Sequence, residues 1–215
     1  MTRAGPAGCD SAELDDAEVT RLFELRSDPA TDLAAQAGAV AAACHAMAVR
    51  FHRGGRLIVF GTGGSSADAQ HVAVEFVHPV IVGKRALPAI ALTSDVATVT
   101  GIAASSEGVD SVFSHQIGVL GEPADIAMGI AASGDESSVL AGLAMATDMG
   151  LLTVALVGGD GGRIVAANAA DHLLTVASAD PCVIKETQVT TYHVLWELVH
   201  VFFEQPGVLD PGVLT

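Results

Sequence analysis

The sequence predicts an α/β fold: a three-layer, doubly wound, five-stranded parallel sheet flanked by helices, with N-terminal helices and a long C-terminal helix. Short apolar segments alternate with helix-like segments along most of the 215-residue chain, and such alternation implies right-handed crossovers between parallel strands. Half of the residues are hydrophobic but only 4% are aromatic. The core must therefore consist of Ala, Val, Leu and Ile, which suits parallel strands covered on both faces.

The individual elements follow from apolar spacing and from the residues that interrupt it. Near the N-terminus we predict a helix over 10–26, a break at Asp28-Pro29, and an Ala-rich helix over 31–52. The predicted strands are 56–60, 88–93, 124–131, 151–157 and 172–177, and the helices that alternate with them are 66–77, 109–119, 136–149, 162–168 and 183–204. We divide the chain into an N-terminal extension over 1–30, a domain over 31–205 and a tail over 206–215.

Net charge and cysteine content restrict the partners and the compartment. The formal net charge is -15 with only ten Lys and Arg residues, which argues against a nucleic-acid backbone or an anionic membrane as a partner. The three cysteines, Cys9, Cys44 and Cys182, are odd in number and lack the spacing of a metal site. The sequence also has no uncharged apolar run long enough to span a bilayer. Together these features predict a cytoplasmic protein without disulfides.

One stretch carries most of the functional information, because a predicted strand runs into a glycine loop and then into a helix. The loop and the helix start read Gly61-Thr62-Gly63-Gly64-Ser65-Ser66. Glycines let a ligand approach the backbone, and the first N–H groups of a helix attract an anion. Ser65 is placed to cap the helix, with Asp68 as the acid of a capping box. The pattern predicts a site for an anionic substrate.

The same helix carries His71 and Glu75, one turn apart on one face. Such a pair can bind a divalent metal or transfer protons. It can equally be a surface pair in which Glu75 only orients His71. The residues alone leave these alternatives open.

The C-terminal helix has a polar stripe on an otherwise apolar segment. Its members, Glu186, His193, Glu197 and His200, are spaced by seven, four and three residues, which places them on one side of the helix. One interpretation is that His193 reaches the active site. The other is a polar seam between subunits, which we favour for Glu197 and His200.

Small and hydroxyl residues also follow the later strands. The loops are Thr93-Ser94-Asp95, Ser133-Gly134-Asp135 and Gly158-Gly159-Asp160-Gly161-Gly162. A single loop of this kind is explained equally well as a turn. The carboxyl ends of parallel strands meet at one edge, where open α/β sheets bind ligands. Four such loops, counting the glycine loop, therefore indicate a binding site at that edge.

The ordered motifs resemble the sugar isomerase (SIS) domain family, and within it the phosphoheptose isomerases, from about residue 30 to about residue 204. The matching residues are Gly61-x-Gly63-Gly64-Ser65-x-Ala67-Asp68-Ala69-x-His71-x-Ala73-x-Glu75, Thr93-Ser94-Asp95-Val96, Ser133-Gly134, Gly159-Asp160-Gly161-Gly162, and Glu186 with His193. The resemblance implies an enzyme that isomerises sedoheptulose 7-phosphate to glycero-manno-heptose 7-phosphate through an enediol. It also implies a homotetramer whose active sites are shared between subunits.

Matched position by position, the resemblance implies roles for individual residues. Glu75 would be the base, and His193 the acid or its partner. His71, Glu75 and His193 would also be ligands of a divalent metal, usually zinc in the family. Because a residue cannot freely be both ligand and base, these roles compete. The implied substrate and phosphate contacts are Gly63, Gly64, Ser65, Ser66, Asp95, Ser133 and Lys185.

The sequence departs from the family pattern at three places in the site. After the second strand, the family's Asn-Asp is Ala104-Ser105 here. The family's phosphate loop has the form Ser-Thr-Ser-Gly-Asn-Ser, and here it reads Ala131-Ala132-Ser133-Gly134-Asp135-Glu136. Two hydroxyl donors are gone, and Glu136 stands where a phosphate would be held. Lys185 replaces a glutamine that is a metal ligand in the family, so it would repel a metal, substitute for it as a fixed cation, or bind an acidic substrate.

These departures support an alternative hypothesis to the isomerase. The alternative is a non-catalytic protein that binds a sugar phosphate or serves as a scaffold or regulator through protein partners. The isomerase is favoured by four retained residues, Ser65, His71, Glu75 and His193. The altered phosphate loop would then go with an altered substrate. Glu136 and the missing hydroxyls favour the alternative.

Overall fold

The computed structural model describes residues 15–205 and 207–209. Five strands form one sheet, in which β1 is Leu57–Gly61, β2 Ala89–Ala91, β3 Ile126–Ala131, β4 Leu152–Gly158 and β5 His172–Val176. Neighbouring strands are all parallel, in the spatial order β2-β1-β3-β4-β5. The register places Leu57 beside both Ala89 and Ile126. The predicted fold class is confirmed, and each strand overlaps a predicted one.

Helices connect the strands and flank the sheet. They are α1 (Asp16–Glu24), α2 (Ser27–Ala35), α3 (Ala37–His52), α4 (Gly64–Val77), α5 (Val96–Ala103), α6 (Val112–Leu120), α7 (Ser137–Asp148), α8 (Gly162–Ala166) and α9 (Pro181–Glu204), with a 3-10 turn at Val109–Ser111 before α6. The long C-terminal helix begins after Asp180, whose carboxylate accepts hydrogen bonds from the N–H groups of Cys182 and Val183 at 2.8 and 3.4 Å. Among the described helices none is long and apolar enough to cross a membrane alone; 16–35 and 37–52 taken together, with a 65° bend between them, would suffice by length and composition.

The N-terminal helices and one later helix differ from the prediction. Asp28-Pro29 does not break the chain, because Pro29 lies in the first turn of α2, where its missing N–H would have no intrahelical partner. The helices are interrupted instead at Leu25-Arg26, between α1 and α2, and at Gln36, between α2 and α3. Of the predicted helix over 10–26, residues 10–14 lie outside the described residues. Helix α5 is absent from the prediction; it begins after Asp95, whose carboxylate caps it.

Two apolar cores cover the two faces of the sheet and produce the three layers. Leu57 and Val59 belong to the core shared with α3, α4 and α9, whereas Ile58 and Phe60 belong to the core shared with α6 and α7. All four side chains are 0% exposed, and burying each one stabilises the fold by about 1.5–3 kcal/mol. Helices α4 and α9 therefore lie together on one face of the sheet. The division into 1–30, 31–205 and 206–215 stays a prediction.

We expect Gly158→Ala to destabilise the protein by about 3 kcal/mol, because this position has no room for a side chain. Gly158 ends β4, and an added Cβ would collide with the carbonyl oxygen of Ala132 and lie 2.9 Å from Ile184 Cδ1. The control is Gly101→Ala on α5, where an added Cβ meets nothing within 4 Å and should stabilise the helix by about 1 kcal/mol. Urea unfolding measures both effects. Equal midpoints for the two variants would contradict the prediction.

Candidate active site

The glycine loop after β1 leads directly into α4. Gly63 precedes the helix with a φ of 54°, a value that favours glycine, and no side chain caps this helix end. Ser65 is buried within the first turn, and Ser66 Oγ donates to the carbonyl oxygen of Gly63 at 2.7 Å. The predicted capping by Ser65 and Asp68 is wrong, because the helix begins at Gly64 and places both residues inside it.

A cavity of about 330 Å³ lies at the carboxyl edge of the sheet beside this loop. Thr93 Oγ1 donates to the carbonyl oxygen of Ser66 at 3.2 Å, which connects the loop after β2 to the first turn of α4. Ser138, near the start of α7, also lines the cavity. The polar and glycine residues of its wall are Gly61, Thr62, Gly63, Ser66, Thr93 and Ser138. Segments that follow three different strands thus meet at one site.

Asp95, a predicted substrate contact, faces a different cavity. It lines a groove of about 700 Å³ beside β2, together with Gln70 and His115. Its carboxylate accepts hydrogen bonds from Thr98 Oγ1 at 2.6 Å and from Thr98 N–H at 3.1 Å, and these bonds hold the pKa of Asp95 below its ordinary value. The observed contacts of Asp95 are those of a helix cap.

His71 and Glu75 on α4 form a compact cluster with His193 on α9. His71 Nε2 lies 3.3 Å from Glu75 Oε1, and the ring centroids of His71 and His193 are 5.1 Å apart. One nitrogen or carboxylate oxygen from each residue lies within 4.8 Å of the other two. The Glu75 side chain is only 11% exposed, whereas that of His71 is 43% exposed. The three residues that were expected to act together are therefore brought together, with Glu75 innermost.

This cluster fits a divalent metal ion. Two imidazoles and a carboxylate are the donors of one class of catalytic zinc site, which keeps a further position open for water or substrate. Here the donor atoms converge from two adjacent helices. The residue that replaces the family's glutamine ligand, Lys185, cannot coordinate a metal while it is protonated, because an ammonium group has no lone pair to offer.

Lys185 has a different partner. Its ammonium nitrogen lies 2.8 and 2.7 Å from the two carboxylate oxygens of Asp68 and donates to the carbonyl oxygen of Gly64 at 3.1 Å. Asp68 is only 5% exposed, and a buried carboxylate without a cation is strongly destabilising. The positive charge of Lys185 is therefore largely committed to neutralising Asp68 at the start of α4.

Three polar contacts join α4 and α9, and we call them the interhelical ladder. The contact between Lys185 and Asp68 is the first of them. In the second contact, the Tyr192 hydroxyl lies 2.9 Å from His71 Nδ1. In the third, Trp196 Nε1 donates to the carbonyl oxygen of Glu75 at 2.9 Å. Tyr192 and Trp196 are not among the residues predicted for the site. Their spacing of seven and eleven residues from Lys185 places all three on one face of α9, and this was the available signal.

The rest of the polar stripe on α9 serves other purposes. Glu186 pairs with Arg26, with 2.6 Å between Nε and Oε2. His200 is buried within the chain, where its ring nitrogens contact the carbonyl oxygens of Trp196 at 2.8 Å and Arg85 at 3.0 Å. The predicted seam between subunits is therefore wrong for His200. Glu197 is exposed, and its place in a seam stays a prediction.

The loop after β3 already contains an anion of its own. Glu136 Oε1 accepts hydrogen bonds from the N–H groups of Ala132 at 3.0 Å and Ser133 at 3.4 Å, and Ser133 Oγ lies 3.5 Å from Glu136 Oε2. The neighbouring cation, Arg163, is engaged with Asp135 through its backbone N–H at 3.0 Å and through its guanidinium group. Donors that would bind a phosphate in this loop are thus occupied by a carboxylate from the same loop.

Comparisons with known proteins agree with this fold. A family model described as the SIS domain matches residues 29–158. The phosphoheptose isomerase of Desulfovibrio desulfuricans is 41% identical over 160 residues, which are 74% of this chain and 75% of that protein. The phosphoheptose isomerase of a Roseiflexus species is 39% identical over 171 residues, which are 79% of this chain and 85% of that protein.

Solved structures give the same result. A phosphoheptose isomerase from Francisella tularensis superposes with a TM-score of 0.80 at 31% identity, over 86% of this chain and 97% of that chain. The corresponding protein from Neisseria gonorrhoeae superposes with a TM-score of 0.77 at 28% identity, over 85% of this chain and 97% of that chain. The similarity covers nearly the whole length of both solved proteins.

Proposed function

We propose that this chain, which belongs to the SIS domain family and within it to the phosphoheptose isomerases, converts sedoheptulose 7-phosphate to glycero-manno-heptose 7-phosphate. The observation that carries the proposal is the cluster of His71, Glu75 and His193, formed by α4, which begins at the glycine loop, and by α9. The reaction moves a proton from C1 to C2 of the sugar. It needs an acid and a base close together, and no external oxidant or reductant.

In the first half of the proposed mechanism, the Glu75 carboxylate removes a proton from C1 of the ketose. The electron pair of the broken C–H bond forms the C1=C2 double bond, and the carbonyl oxygen on C2 receives a proton from His193. The product is the enediol. Glu75 suits the role of base because its side chain is nearly buried, so that water does not compete strongly for its oxygens.

In the second half, the protonated Glu75 returns its proton to C2, and His193 takes the proton from the oxygen on C1. The C1 carbonyl group forms as the double bond is lost, and both residues regain their starting states. One carboxylate serves both carbons because C1 and C2 are adjacent. One carboxylate oxygen of Glu75 and one ring nitrogen of His193 lie within 4.8 Å of each other. Both side chains can therefore reach C1 and C2 of the same bound sugar.

A divalent metal, which we propose to be zinc, would be held by His71, Glu75 and His193. When bound, it would supply positive charge that stabilises the enediolate oxygens. The roles of Glu75 as ligand and as base compete, because a coordinated carboxylate is a weaker base. Binding of metal and turnover must therefore be measured separately.

The proposed phosphate contacts lie at the start of α4 and in the loop after β3. Backbone N–H groups near Gly63, Gly64 and Ser65 begin a helix, and a helix N-terminus attracts an anion. Ser66 lines the adjoining cavity, and Ser133 is the hydroxyl retained in the second loop. Lys185 and Asp95 stay predicted contacts, although their partners in the structure are Asp68 and Thr98.

A second candidate function is a non-catalytic protein that binds a sugar phosphate or another protein. The observation that favours it is the position of Glu136, which occupies the donors of the phosphate loop.

We further propose a homotetramer, the assembly that the family resemblance implies. Association between subunits is supported by the segment after α4, which exposes a run of apolar side chains at Val80, Ile81 and Val82. The cytoplasmic location stays a prediction.

The test is turnover of sedoheptulose 7-phosphate by the purified protein, after treatment with a chelator and again after addition of zinc. We expect aldose product, and a zinc titration should show one site per chain. Loss of a partner behind a ligand weakens metal binding by about 10- to 100-fold, so His71→Asn, which removes a ligand itself, should weaken it by at least about 100-fold. His115→Asn, at an exposed position on α6, is the control. Failure to bind the sugar phosphate under both conditions would overturn the isomerase in favour of the second candidate. Zinc affinity unchanged by His71→Asn would overturn the metal site.

A further inference from the structure

A buried glutamine on α9 bonds to the end of the sheet at which the phosphate loop, residues 131–136, begins. Gln188 is 2% exposed, and its amide nitrogen Nε2 lies 2.9 Å from the carbonyl oxygen of Ala131 and 3.2 Å from that of Leu156. Ala131 is the last residue of β3, and Leu156 lies in the neighbouring strand β4. One side chain therefore connects α9 to two strands of the sheet.

The chemistry of the two partners fixes the orientation of the Gln188 amide. Carbonyl oxygens only accept hydrogen bonds, whereas a glutamine amide carries two N–H groups on one nitrogen. Nε2 therefore faces both strands and donates one hydrogen to each carbonyl oxygen. An apolar side chain at this position would remove a donor from both acceptors without letting water replace it, which is costly.

The contacts of the phosphate loop show that its distance from α9 depends on Gln188. The carbonyl oxygen of Gly134 accepts from the N–H of Ile164 at 3.0 Å, and the Asp135 carboxylate accepts from the N–H of Arg163 at 3.0 Å, which connects the loop to α8. Among the described residues, the bond from Gln188 to Ala131 is the one hydrogen bond between the loop and α9.

Helix α9 also contacts the other segment proposed to hold the phosphate group. Lys185, three residues before Gln188, donates to the carbonyl oxygen of Gly64 at the start of α4 at 3.1 Å. His193, five residues after Gln188, belongs to the proposed catalytic cluster. The helix therefore touches both proposed phosphate contacts and carries a residue proposed to act at the opposite end of the sugar.

We propose that Gln188 is a positioning residue that holds the phosphate loop at a fixed distance from His193, so that the site selects sugar phosphates by chain length. In a ketose 7-phosphate, the phosphate group and the reacting carbons C1 and C2 lie at opposite ends of the molecule. A ligand that contacts both ends of the site must match their spacing, and a misplacement of 1 Å can lower a rate by about 100-fold. Gln188 acts through the main chain of the loop. This inference rests on the proposed function for the identity of the ligand, but not for the effect of Gln188 on the loop.

The first test uses calorimetry to compare a ligand that spans the site with one that does not. Gln188→Met keeps the length of the side chain and removes both donors. It should weaken the binding of sedoheptulose 7-phosphate by about 10-fold, because the two ends of the site lose their spacing, and change the binding of inorganic phosphate by less than about twofold. An equal loss for both ligands, or no loss in a folded Gln188→Met, would overturn the proposal.

Gln116→Met is the matched control, because it makes the same chemical change in a similar environment away from the site. Gln116, on α6, is 5% exposed, and its Nε2 donates to the carbonyl oxygens of Leu92 at 3.2 Å and Val112 at 3.0 Å. The control should leave the affinities for both ligands unchanged. If Gln188→Met does not fold, Gln188→Asn repeats the test, because it keeps the amide but is one methylene too short to reach both strands.

A second measurement needs no ligand and so separates this inference from the proposed function. The N–H of Ala132, which bonds to Glu136 Oε1 at 3.0 Å inside the loop, should exchange its hydrogen with solvent about 10-fold faster in Gln188→Met, because the loop opens more often. Gln116→Met should leave this rate unchanged. Unchanged exchange in Gln188→Met would overturn the proposal. Faster exchange, together with a wild type that binds no sugar phosphate, would support the role of Gln188 in holding the loop and reject the proposed function instead.

Discussion

Glu75→Gln lowers isomerase turnover by about 10³-fold or more while the fold is retained. General acid–base groups contribute about 10²- to 10⁴-fold to catalysis, and Glu75 is placed as the base for both proton transfers. An amide cannot accept the C1 proton. Glutamine has nearly the same shape as glutamate, and the Glu75 side chain is 11% exposed, so that the packing of α4 is preserved.

The measurement is the rate of aldose formation, made in chelator and in zinc so that loss of a metal ligand is distinguished from loss of the base. Glu197→Gln is the matched control, because it makes the same chemical change at an exposed position on α9. The fluorescence of the one tryptophan, Trp196, which bonds to the Glu75 carbonyl oxygen, reports whether the fold survives. Wild-type turnover by Glu75→Gln would exclude Glu75 as the base.

Glu136→Ser strengthens the binding of sugar phosphate by about 30-fold. Near a protein surface, two unit charges 4 Å apart interact by about 4 kcal/mol. Since the loop is partly open to solvent, about half of this, or about 2 kcal/mol, is expected for Glu136, and 1.4 kcal/mol is a tenfold change. The substitution also releases the N–H groups of Ala132 and Ser133 from their present carboxylate acceptor and adds a hydroxyl donor.

Calorimetry with sedoheptulose 7-phosphate, and with inorganic phosphate as the simplest probe, measures this gain. Glu136→Gln should give a smaller gain, because it removes the charge but leaves an acceptor in the loop. Glu24→Ser, on exposed α1, changes the net charge equally and should have no effect. Affinity that is unchanged or weaker in Glu136→Ser would show that the phosphate binds elsewhere.

Much of the fold was predictable because its signals are local. The strand at 57–61 is a run of apolar residues that ends in glycines, and the burial of every residue in it follows from that pattern. Helix α5 is not predicted from the sequence, because Val96–Ala103 is apolar and rich in β-branched residues. Asp95, which caps this helix, is predicted to contact the substrate instead. The predicted break at Pro29 is wrong because proline interrupts the interior of a helix but is tolerated in its first turn, and the local sequence does not show where the helix starts.

The site was predictable where chemistry and spacing coincide, as in His71 and Glu75 one turn apart. Resemblance to the family supplied His193. The partners of these residues were not predictable, because they depend on how two helices far apart in sequence come together. Lys185 and Asp68 are separated by 117 residues, and Tyr192 and His71 by 121. The residues adjacent in sequence to each partner therefore give no indication of these two contacts.

These sequence separations also determine when the site exists during synthesis. Ribosomes make α4 early, but Lys185, Tyr192, His193 and Trp196 all belong to α9, the last helix of the described chain. Until α9 has emerged, Asp68 lacks its cation, and the core shared by α3, α4 and α9 is incomplete. Translation that stops before residue 181 therefore yields a chain that has the glycine loop but lacks α9, so that the cluster of His71, Glu75 and His193 cannot form in it.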